Sequence, residues 1–216
     1  SAASDVYKRQ EECGERSIKN LEKTINYEGA NNIAAIMMEG ESGTSGCIKY
    51  PPLYLKKVEE LCKKYNLLLI IDEVMSGFCR TGEWFGFDNH SIKPDIISIA
   101  KGVTSGYIPL GGIMVSDDII NSFDDKVLPL GLTYSAHSVA CAAAVAVLEI
   151  YENENIIENV KKIGNYTDKK IKKLMENHPS FGDWRNTGML GCIELVKNKK
   201  NKDPLAPFNE NPKQMK

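Results

Sequence analysis

The chain lacks several features that mark the common classes of functional site. Its six cysteines stand singly, with no Cys-x-x-C pair, which argues against a disulfide framework or a zinc site and for reduced thiols in the cytoplasm. No apolar run approaches the roughly 18 residues of a membrane span. A net charge of −2 over 216 residues gives no support for a nucleic-acid or anionic-membrane partner. We therefore expect a cytoplasmic protein that binds neither nucleic acid, membrane nor metal.

Two nucleotide-binding motifs are also missing. No glycine is followed by lysine, so the phosphate loop of many NTPases, which ends in Gly-Lys-Ser/Thr, does not occur in this sequence. No two glycines are separated by a single residue, which excludes the Gly-x-Gly-x-x-Gly fingerprint of dinucleotide-binding folds. An NTP-binding module stays open only if a segment outside this sequence supplies the loop, and a non-catalytic α/β module is a related alternative.

The apolar residues follow the pattern of an α/β fold. Short apolar runs at 33–38, 67–71 and 95–100 indicate buried strands of a mostly parallel sheet. An amphipathic helix is predicted at 53–65, between the first two runs, and this order favours a right-handed parallel unit. A further strand is predicted at 113–115.

A change of composition near Glu152 divides the chain into two predicted domains. Residues 1–12 contain a polar stretch without periodicity, and we interpret them as a tail that could be foreign to the fold. Residues 13–152 are predicted to form part of a large domain. Residues 153–216 are richer in lysine at their start and are predicted to begin a small C-terminal domain.

The second half of the chain carries three further element predictions. Residues 136–151 are alanine-rich and apolar nearly all round, which is typical of a buried helix. A solvated helix is predicted at 156–175 and a strand at 190–196. From Lys197 onward the sequence is polar and Pro-rich, and we expect nothing there that closes a sheet.

Two of the predicted strands end in residues of opposite charge. The run at 67–71 stops at Asp72, and the run at 95–100 stops at Lys101. In open α/β sheets, ligands bind just beyond the carboxyl ends of the strands. The two residues therefore suggest one shared site, although a lone acid after a strand is as readily a loop cap.

Lys101 is the residue that points to a particular chemistry. It follows a buried run in the sequence Ala-Lys-Gly, a position that a solvated surface charge explains poorly. Burial lowers the pKa of an amine and makes it a nucleophile able to form a Schiff base. A pyridoxal cofactor needs such a lysine on its aldehyde carbon and a carboxylate on its pyridinium nitrogen, and Lys101 and Asp72 suit these roles.

Three long segments make the chain resemble the class III pyridoxal-phosphate-dependent aminotransferases, the omega-transaminase group of fold type I. They are LLLIIDEVMSGFCRTGEWF, PDIISIAKGVTSGYIPLGG and LTYSAHSVACAAAVAVLEIYE. The resemblance implies an α/β large domain, whose mostly parallel sheet is flanked by helices and holds pyridoxal phosphate, and part of a small α/β domain. It also implies transfer of an amino group from an amine or omega-amino acid to a 2-oxo acid such as pyruvate.

The resemblance gives roles to five residues. Lys101 would carry pyridoxal phosphate as a Schiff base and then move a proton between the substrate carbon and the cofactor. Asp72 would pair with the pyridine nitrogen, Val74 would pack on a ring face, and Glu39 would lie at the cofactor's edge. Thr133 would reach the phosphate of the neighbouring subunit's cofactor, so the resemblance also implies a homodimer.

The sequence departs from the family pattern in the loop after Glu39. Where many relatives have Glu-Pro-x-Gln, this chain has Glu39-Gly40-Glu41-Ser42. Thr44 stands where ornithine- and GABA-type members have a gating glutamate, which argues against those two substrate classes. The loop is more similar to that of members acting on taurine or other terminal amines. An aminomutase or a decarboxylase of the same fold stays an alternative.

Three parts of the family's site have no counterpart in this sequence. They are the upstream loop that grips the phosphate, the aromatic residue that stacks on the ring, and the downstream arginine that binds the substrate carboxylate. We therefore expect an internal fragment of a longer enzyme. Since phosphate contacts supply much of the anchoring of such a cofactor, the fragment alone could be inactive.

Other polar residues receive structural interpretations. His137 precedes the alanine-rich helix and is interpreted as a packing or capping residue, and His90 as a surface residue. Arg80 and Glu83 could form a structural ion pair or contact the substrate, and we favour the ion pair. We assign none of them a catalytic role.

Overall fold

A computed structural model describes residues 2–206, with side chains from residue 10 onward. The helices are α1 (Ala2–Glu28), α2 (Tyr54–Tyr65), α3 (Asp117–Asn121), α4 (Ser138–Asn153) and α5 (Ile156–Asn177). The strands are β1 (Ala35–Glu39), β2 (Leu68–Asp72), β3 (Ile96–Ile99), β4 (Gly112–Val115), β5 (Phe181–Thr187), β6 (Leu190–Asn198) and β7 (Asp203–Pro204). Within this range, no helix has both the length and the apolar character needed to cross a membrane.

The first four strands form one sheet in the order β1-β2-β3-β4. The first three strands are parallel, and β4 pairs antiparallel with β3 at the edge of the sheet. Helix α2 connects β1 to β2 along the chain, as the strand-helix-strand pattern predicts. The predicted α/β class with a mostly parallel sheet is therefore confirmed.

One face of this sheet packs against α1 and α2. Leu69 and Ile71 of β2 lie in a core with Leu55 and Val58 of α2 and Ile25 of α1. None of these five side chains is more than 1% exposed. The continuous apolar run of β2 thus supplies buried residues to this face, as the sequence predicts.

The opposite face of the sheet carries the predicted site. Because side chains alternate along a strand, Asp72 points away from the core occupied by Ile71. Its neighbours across the sheet are Glu39 of β1 and Ser98 of β3. This face is less covered than the other, and Met37 of β1 is 59% exposed.

The last three strands form a second, antiparallel sheet in the order β5-β6-β7, and α5 packs on β5. Gly164 of α5 allows a close approach to the turn between β5 and β6. A Cβ added there would lie 2.6 Å from the carbonyl oxygen of Gly188. The two sheets fall on either side of the boundary predicted near Glu152, and the division into domains stays a prediction.

The two chain ends contain regular structure that the sequence analysis did not predict. Helix α1 begins at Ala2, because alanine, lysine, arginine, glutamine and glutamate favour a helix without an apolar stripe, and the interpretation of residues 1–12 as a tail stays a prediction. The prediction that nothing after Lys197 closes a sheet is wrong, since β7 pairs with β6 through Val196 and Pro204. Strand pairing uses backbone groups, which a polar sequence also has. Residues 207–216 of the predicted C-terminal tail lie outside the described residues.

Helix α4 is far more exposed than its apolar sequence predicts. Val139, Val145 and Ile150 are 62%, 56% and 45% exposed, whereas Ala144 and Val147 on another side of the helix are buried. The prediction that this helix is buried on all sides is therefore wrong for the single chain. An apolar sequence indicates that a helix face is buried in a contact. It does not indicate whether the contact is with the same chain or with another molecule.

Candidate active site

Glu39, Asp72 and Ser98 occupy neighbouring positions at the carboxyl ends of three adjacent strands. Their matched register places all three side chains on the same face of the sheet. Asp72 is half-buried, and its Oδ1 accepts a hydrogen bond from the backbone N–H of Val74 at 2.9 Å. The Ser98 hydroxyl is buried and has no hydrogen-bond partner among the described residues. A polar ligand group at this edge would satisfy that hydroxyl.

Lys101 begins a short 3-10 helix, Lys101–Thr104, and only Ala100 separates it from the end of β3. Its φ of 44° lies in the left-handed region, which costs a residue other than glycine about 1–3 kcal/mol. The side chain is exposed in this chain, so the prediction that Lys101 is buried is wrong. The left-handed turn carries the lysine out of the sheet, where the preceding apolar run no longer surrounds it.

A cavity of about 520 Å³ opens beside Lys101. Val74 and Arg80 line it from the loop after β2, Tyr151 lines it from α4, and Leu190 lines it from β6. Its volume falls within the range of small-molecule sites, about 300–1,000 Å³. Another cavity, of about 690 Å³, is lined by residues of α1 and α2 and contains none of the predicted site residues.

Met75 links Lys101 to the loop that follows Glu39. The Nζ of Lys101 lies 2.7 Å from the Met75 sulfur. On its other side Met75 approaches Gly43, where an added Cβ would lie 3.0 Å from the Met75 Cγ. The backbone N–H of Gly43 donates to Glu39 Oε2 at 2.5 Å. Lys101 and Glu39 therefore belong to one continuous set of contacts.

Thr133 lies apart from this set. It is exposed and lines a different cavity, of about 630 Å³, together with Leu110 and His137. The structure thus brings four of the five predicted residues to one edge of the sheet. The role predicted for Thr133, in which it reaches the neighbouring subunit's cofactor, stays a prediction.

Glu73 has a structural function that the sequence analysis missed. It is fully buried, and its carboxylate accepts hydrogen bonds from Ser76 Oγ, Gly86 N and Phe87 N at 2.6, 2.8 and 2.9 Å. Burial raises the pKa of Glu73, and the three hydrogen bonds oppose that rise. The carboxylate holds together the long loop between β2 and β3. The only signal in the sequence is its place one residue after Asp72, beyond the strand end.

His90 is not the surface residue that the sequence predicts. Its Nε2 lies 3.1 Å from Glu41 Oε1, and its side chain is 18% exposed. The ring packs edge-on against Tyr50, whose hydroxyl donates to the backbone carbonyl of Glu39 at 3.0 Å. Burial, with smaller contributions from the Glu39 and Glu41 carboxylates, raises the pKa of Tyr50 to about 12. The segment containing His90 folds back onto the loop after β1 and is covered by it.

Of the remaining structural interpretations, the one for His137 is confirmed and the one for Arg80 and Glu83 is not. His137 caps α4, since its Nδ1 accepts a hydrogen bond from Ala140 N at 3.3 Å, and its predicted capping function is confirmed. Among the described residues, Arg80 and Glu83 do not form the predicted ion pair. Glu83 instead pairs with Lys161 of α5 at 3.0 Å, because α5 packs against this loop.

Comparison with known proteins identifies the family. The family model described as Aminotransferase class-III matches residues 2–212, and the chain belongs to this family. It is 43% identical to a putrescine–pyruvate aminotransferase of Pseudomonas aeruginosa over 195 residues, which are 89% of this chain and 42% of that protein. It is 41% identical to gamma aminobutyrate transaminase 3 of Solanum lycopersicum, over 92% of this chain and 39% of that protein.

A solved structure agrees with both the sequence likeness and the fold. The taurine:2-oxoglutarate aminotransferase from Bifidobacterium kashiwanohense, described as a complex with PLP and glutamate, superimposes with a TM-score of 0.92 at 39% identity. The match covers 95% of this chain and 46% of that one. The chain thus spans less than half the length of these relatives.

Proposed function

We propose that this protein transfers an amino group from an amine or omega-amino acid to a 2-oxo acid, with pyridoxal phosphate as its cofactor. The observation that carries the proposal is the position of Asp72 and Lys101 at the carboxyl ends of adjacent parallel strands, inside the segment matched by the class-III aminotransferase family. Neighbouring carboxylate and amine groups at the carboxyl edge of such a sheet suit a charged, planar cofactor.

Each of four residues would have a separate function in this reaction. When bound, pyridoxal phosphate supplies an aldehyde that condenses with amines and a ring that accepts electrons from the substrate carbon. Lys101 Nζ would hold the cofactor at its aldehyde carbon, and as a free amine it would move a proton at the substrate carbon. The Asp72 carboxylate would keep a proton on the ring nitrogen. Val74 would pack on a ring face, and Glu39 would bound the cofactor's edge.

We also propose that the protein acts as a homodimer. The apolar side chains that α4 exposes, Val139, Val145 and Ile150, favour a second protein surface against this helix. Thr133 lies shortly before α4 and away from the other predicted residues of its own chain. A position near a subunit interface is consistent with a function for Thr133 in the partner's site.

We propose a terminal amine or omega-amino acid as donor, taurine-like compounds included, and pyruvate as acceptor. The relatives named above are described as acting with putrescine and pyruvate, with gamma-aminobutyrate, and with taurine and 2-oxoglutarate. A gamma-aminobutyrate enzyme at 41% identity weakens the argument from Thr44 against that substrate. All three donors therefore belong in the test.

Two classes of alternative can be separated. The family match argues against an NTP-binding or non-catalytic module. An aminomutase or decarboxylase of the same fold would use the same lysine and carboxylate but would not consume a 2-oxo acid in proportion to the donor. We also propose a cytoplasmic location, which the six free cysteines of the described residues support, since free thiols are typical of a reducing compartment.

The test is an amine-donor series with the protein loaded with pyridoxal phosphate. Taurine, putrescine and gamma-aminobutyrate are each supplied with pyruvate, and alanine and remaining pyruvate are measured. We expect one alanine formed for each pyruvate consumed with at least one donor, and none with Lys101→Ala. Donor consumed without loss of pyruvate, by rearrangement or release of carbon dioxide, would contradict transamination and favour the alternatives.

A further inference from the structure

Arg185 joins the second sheet to the loop that follows Glu39. It lies in β5, with its side chain 19% exposed. Its Nε donates to the backbone carbonyl of Gly46 at 3.0 Å, across 139 positions of sequence. Its Nη1 donates to the carboxylates of Asp183 at 2.6 Å and Glu194 at 2.9 Å. One guanidinium therefore binds two carboxylates of its own sheet and one carbonyl of the other part of the chain.

The carbonyl that Arg185 binds belongs to a tight turn next to the candidate active site. The N–H groups of Gly46 and Cys47 both donate to the carbonyl of Gly43 at 3.1 Å. The N–H of Gly43 in turn donates to Glu39 Oε2 at 2.5 Å. The φ of Gly46 is 95°, a conformation that favours glycine. Hydrogen bonds and backbone thus run continuously from Arg185 through the turn to the Glu39 carboxylate.

The carboxylates of Asp183 and Glu194 orient the guanidinium of Arg185, and they do not form buried ion pairs with it. Asp183 and Glu194 are 40% and 43% exposed, so solvent screens much of their attraction to Arg185. Glu194 first, and Asp183 to a smaller extent, raise the pKa of Arg185 against the effect of its burial. Because the guanidinium is planar with donors in a fixed fork, holding Nη1 also fixes the direction of Nε toward Gly46.

We propose that Arg185 is a positioning residue, which holds the turn of residues 43–47 and through it the carboxylate of Glu39. The place of Glu39 at the cofactor's edge rests on the proposed function, whereas the hold on the turn does not. Without the hydrogen bond from Arg185 Nε, the Gly46 carbonyl would lose its partner and the turn would become more mobile. The N–H of Gly43, at the start of this turn, would then hold the Glu39 carboxylate less firmly. Arg185 itself would touch neither cofactor nor substrate.

The first experiment measures the turn without any cofactor. Amide hydrogen exchange at Gly43, Gly46 and Cys47 is followed by NMR in the full chain and in Arg185→Met. We expect exchange to be faster by about tenfold, the loss that follows when a hydrogen bond from a charged donor is removed. Arg185→Lys should fall between the two, because a lysine can reach the carbonyl but lacks the planar fork.

Lys161→Met is the matched control, because it removes another contact between the two halves of the chain that does not involve the turn. Lys161 of α5 binds Glu83 at 3.0 Å, and so it also connects the second half of the chain to the first, but away from the turn. We expect its removal to leave the three exchange rates unchanged. Unchanged rates in Arg185→Met, or an equal rise in Lys161→Met, would overturn the proposal.

The second experiment asks whether Arg185 acts through Glu39. The affinity for pyridoxal phosphate is measured by visible absorbance in a double-mutant cycle of Arg185→Met and Glu39→Ala. Arg185→Met alone should weaken binding by about threefold or more, and should have no further effect when Glu39 is already alanine. Equal weakening in both backgrounds would overturn the positioning function. No binding even by the unaltered chain would contradict the proposed function, and the exchange rates would still decide whether Arg185 holds the turn.

Discussion

Two acidic residues in succession, Asp72 and Glu73, serve different purposes at the end of β2. Asp72 is half-buried at the edge that carries the candidate site, whereas Glu73 is fully buried and binds backbone N–H groups of the following loop. The sequence predicts the first function, because a parallel strand that ends in an acid is a recognisable pattern. It does not predict the second, because two of the three hydrogen-bond partners of Glu73 lie 13 and 14 residues further along an irregular loop.

Replacement of Glu73 by glutamine tests its anchoring function. Although Glu73→Gln removes a buried charge, its amide group cannot accept hydrogen bonds at both positions. We therefore expect the free energy of unfolding to fall by roughly 1–3 kcal/mol, the cost of a buried donor left unpaired. Glu83→Gln, at a partly exposed position, is the control and should change stability by less than about 0.5 kcal/mol. Equal stability of Glu73→Gln and the unaltered protein in urea denaturation would contradict this function.

Tyr50 gives a prediction about alkaline pH. Its pKa is about 12 in the folded chain and 10.0 for an ordinary tyrosine, so the fold favours the protonated phenol. This contribution to stability is complete below pH 10 and is lost as the pH rises from 10 toward 12. The unaltered protein should therefore lose more unfolding free energy than Tyr50→Phe between about pH 9 and about pH 11.5. A difference between the two proteins that stays constant across this range would contradict the prediction.

At the scale of helices and strands, the sequence predicted best where apolar residues alone decide the structure. The strands β1, β2 and β3 were found because buried parallel strands consist of short apolar runs. Strand β5 was missed because Phe181–Thr187 is mostly polar and glycine-containing, and its pairing with β6 makes it a strand. The burial of α4 was predicted incorrectly because composition does not identify the partner of an apolar face.

The exposed face of α4 gives a prediction about assembly. If this face meets a second copy, Val145→Asp would place a charge in the interface, and the dimer should dissociate. Analytical ultracentrifugation should then show the mass of two chains for the unaltered protein and of one chain for Val145→Asp. Glu149→Gln, at an exposed polar position of the same helix, should remain dimeric. A single-chain mass for the unaltered protein at all concentrations would contradict the proposed homodimer.

At the scale of the whole molecule, the candidate site combines residues far apart in the sequence. Asp72 and Lys101 follow adjacent strands, and this arrangement could be predicted because carboxyl ends of parallel strands share an edge. The connection from Arg185 to Gly46 spans 139 positions and could not be predicted, since no local pattern records which backbone carbonyl a distant arginine meets. The sequence thus predicted the candidate site, but it did not predict the contact between Arg185 and the turn beside that site.

We propose above that Lys101 is the lysine that binds pyridoxal phosphate. The most direct measurement is reduction with borohydride after incubation with the cofactor, which converts a Schiff base into a stable bond, followed by peptide mapping by mass spectrometry. Exposed lysines elsewhere in the chain, such as Lys126 and Lys170, are internal controls. We predict a single adduct, on Lys101, and its loss in Lys101→Ala. Adducts distributed over the exposed lysines, or no adduct on Lys101, would contradict the claim.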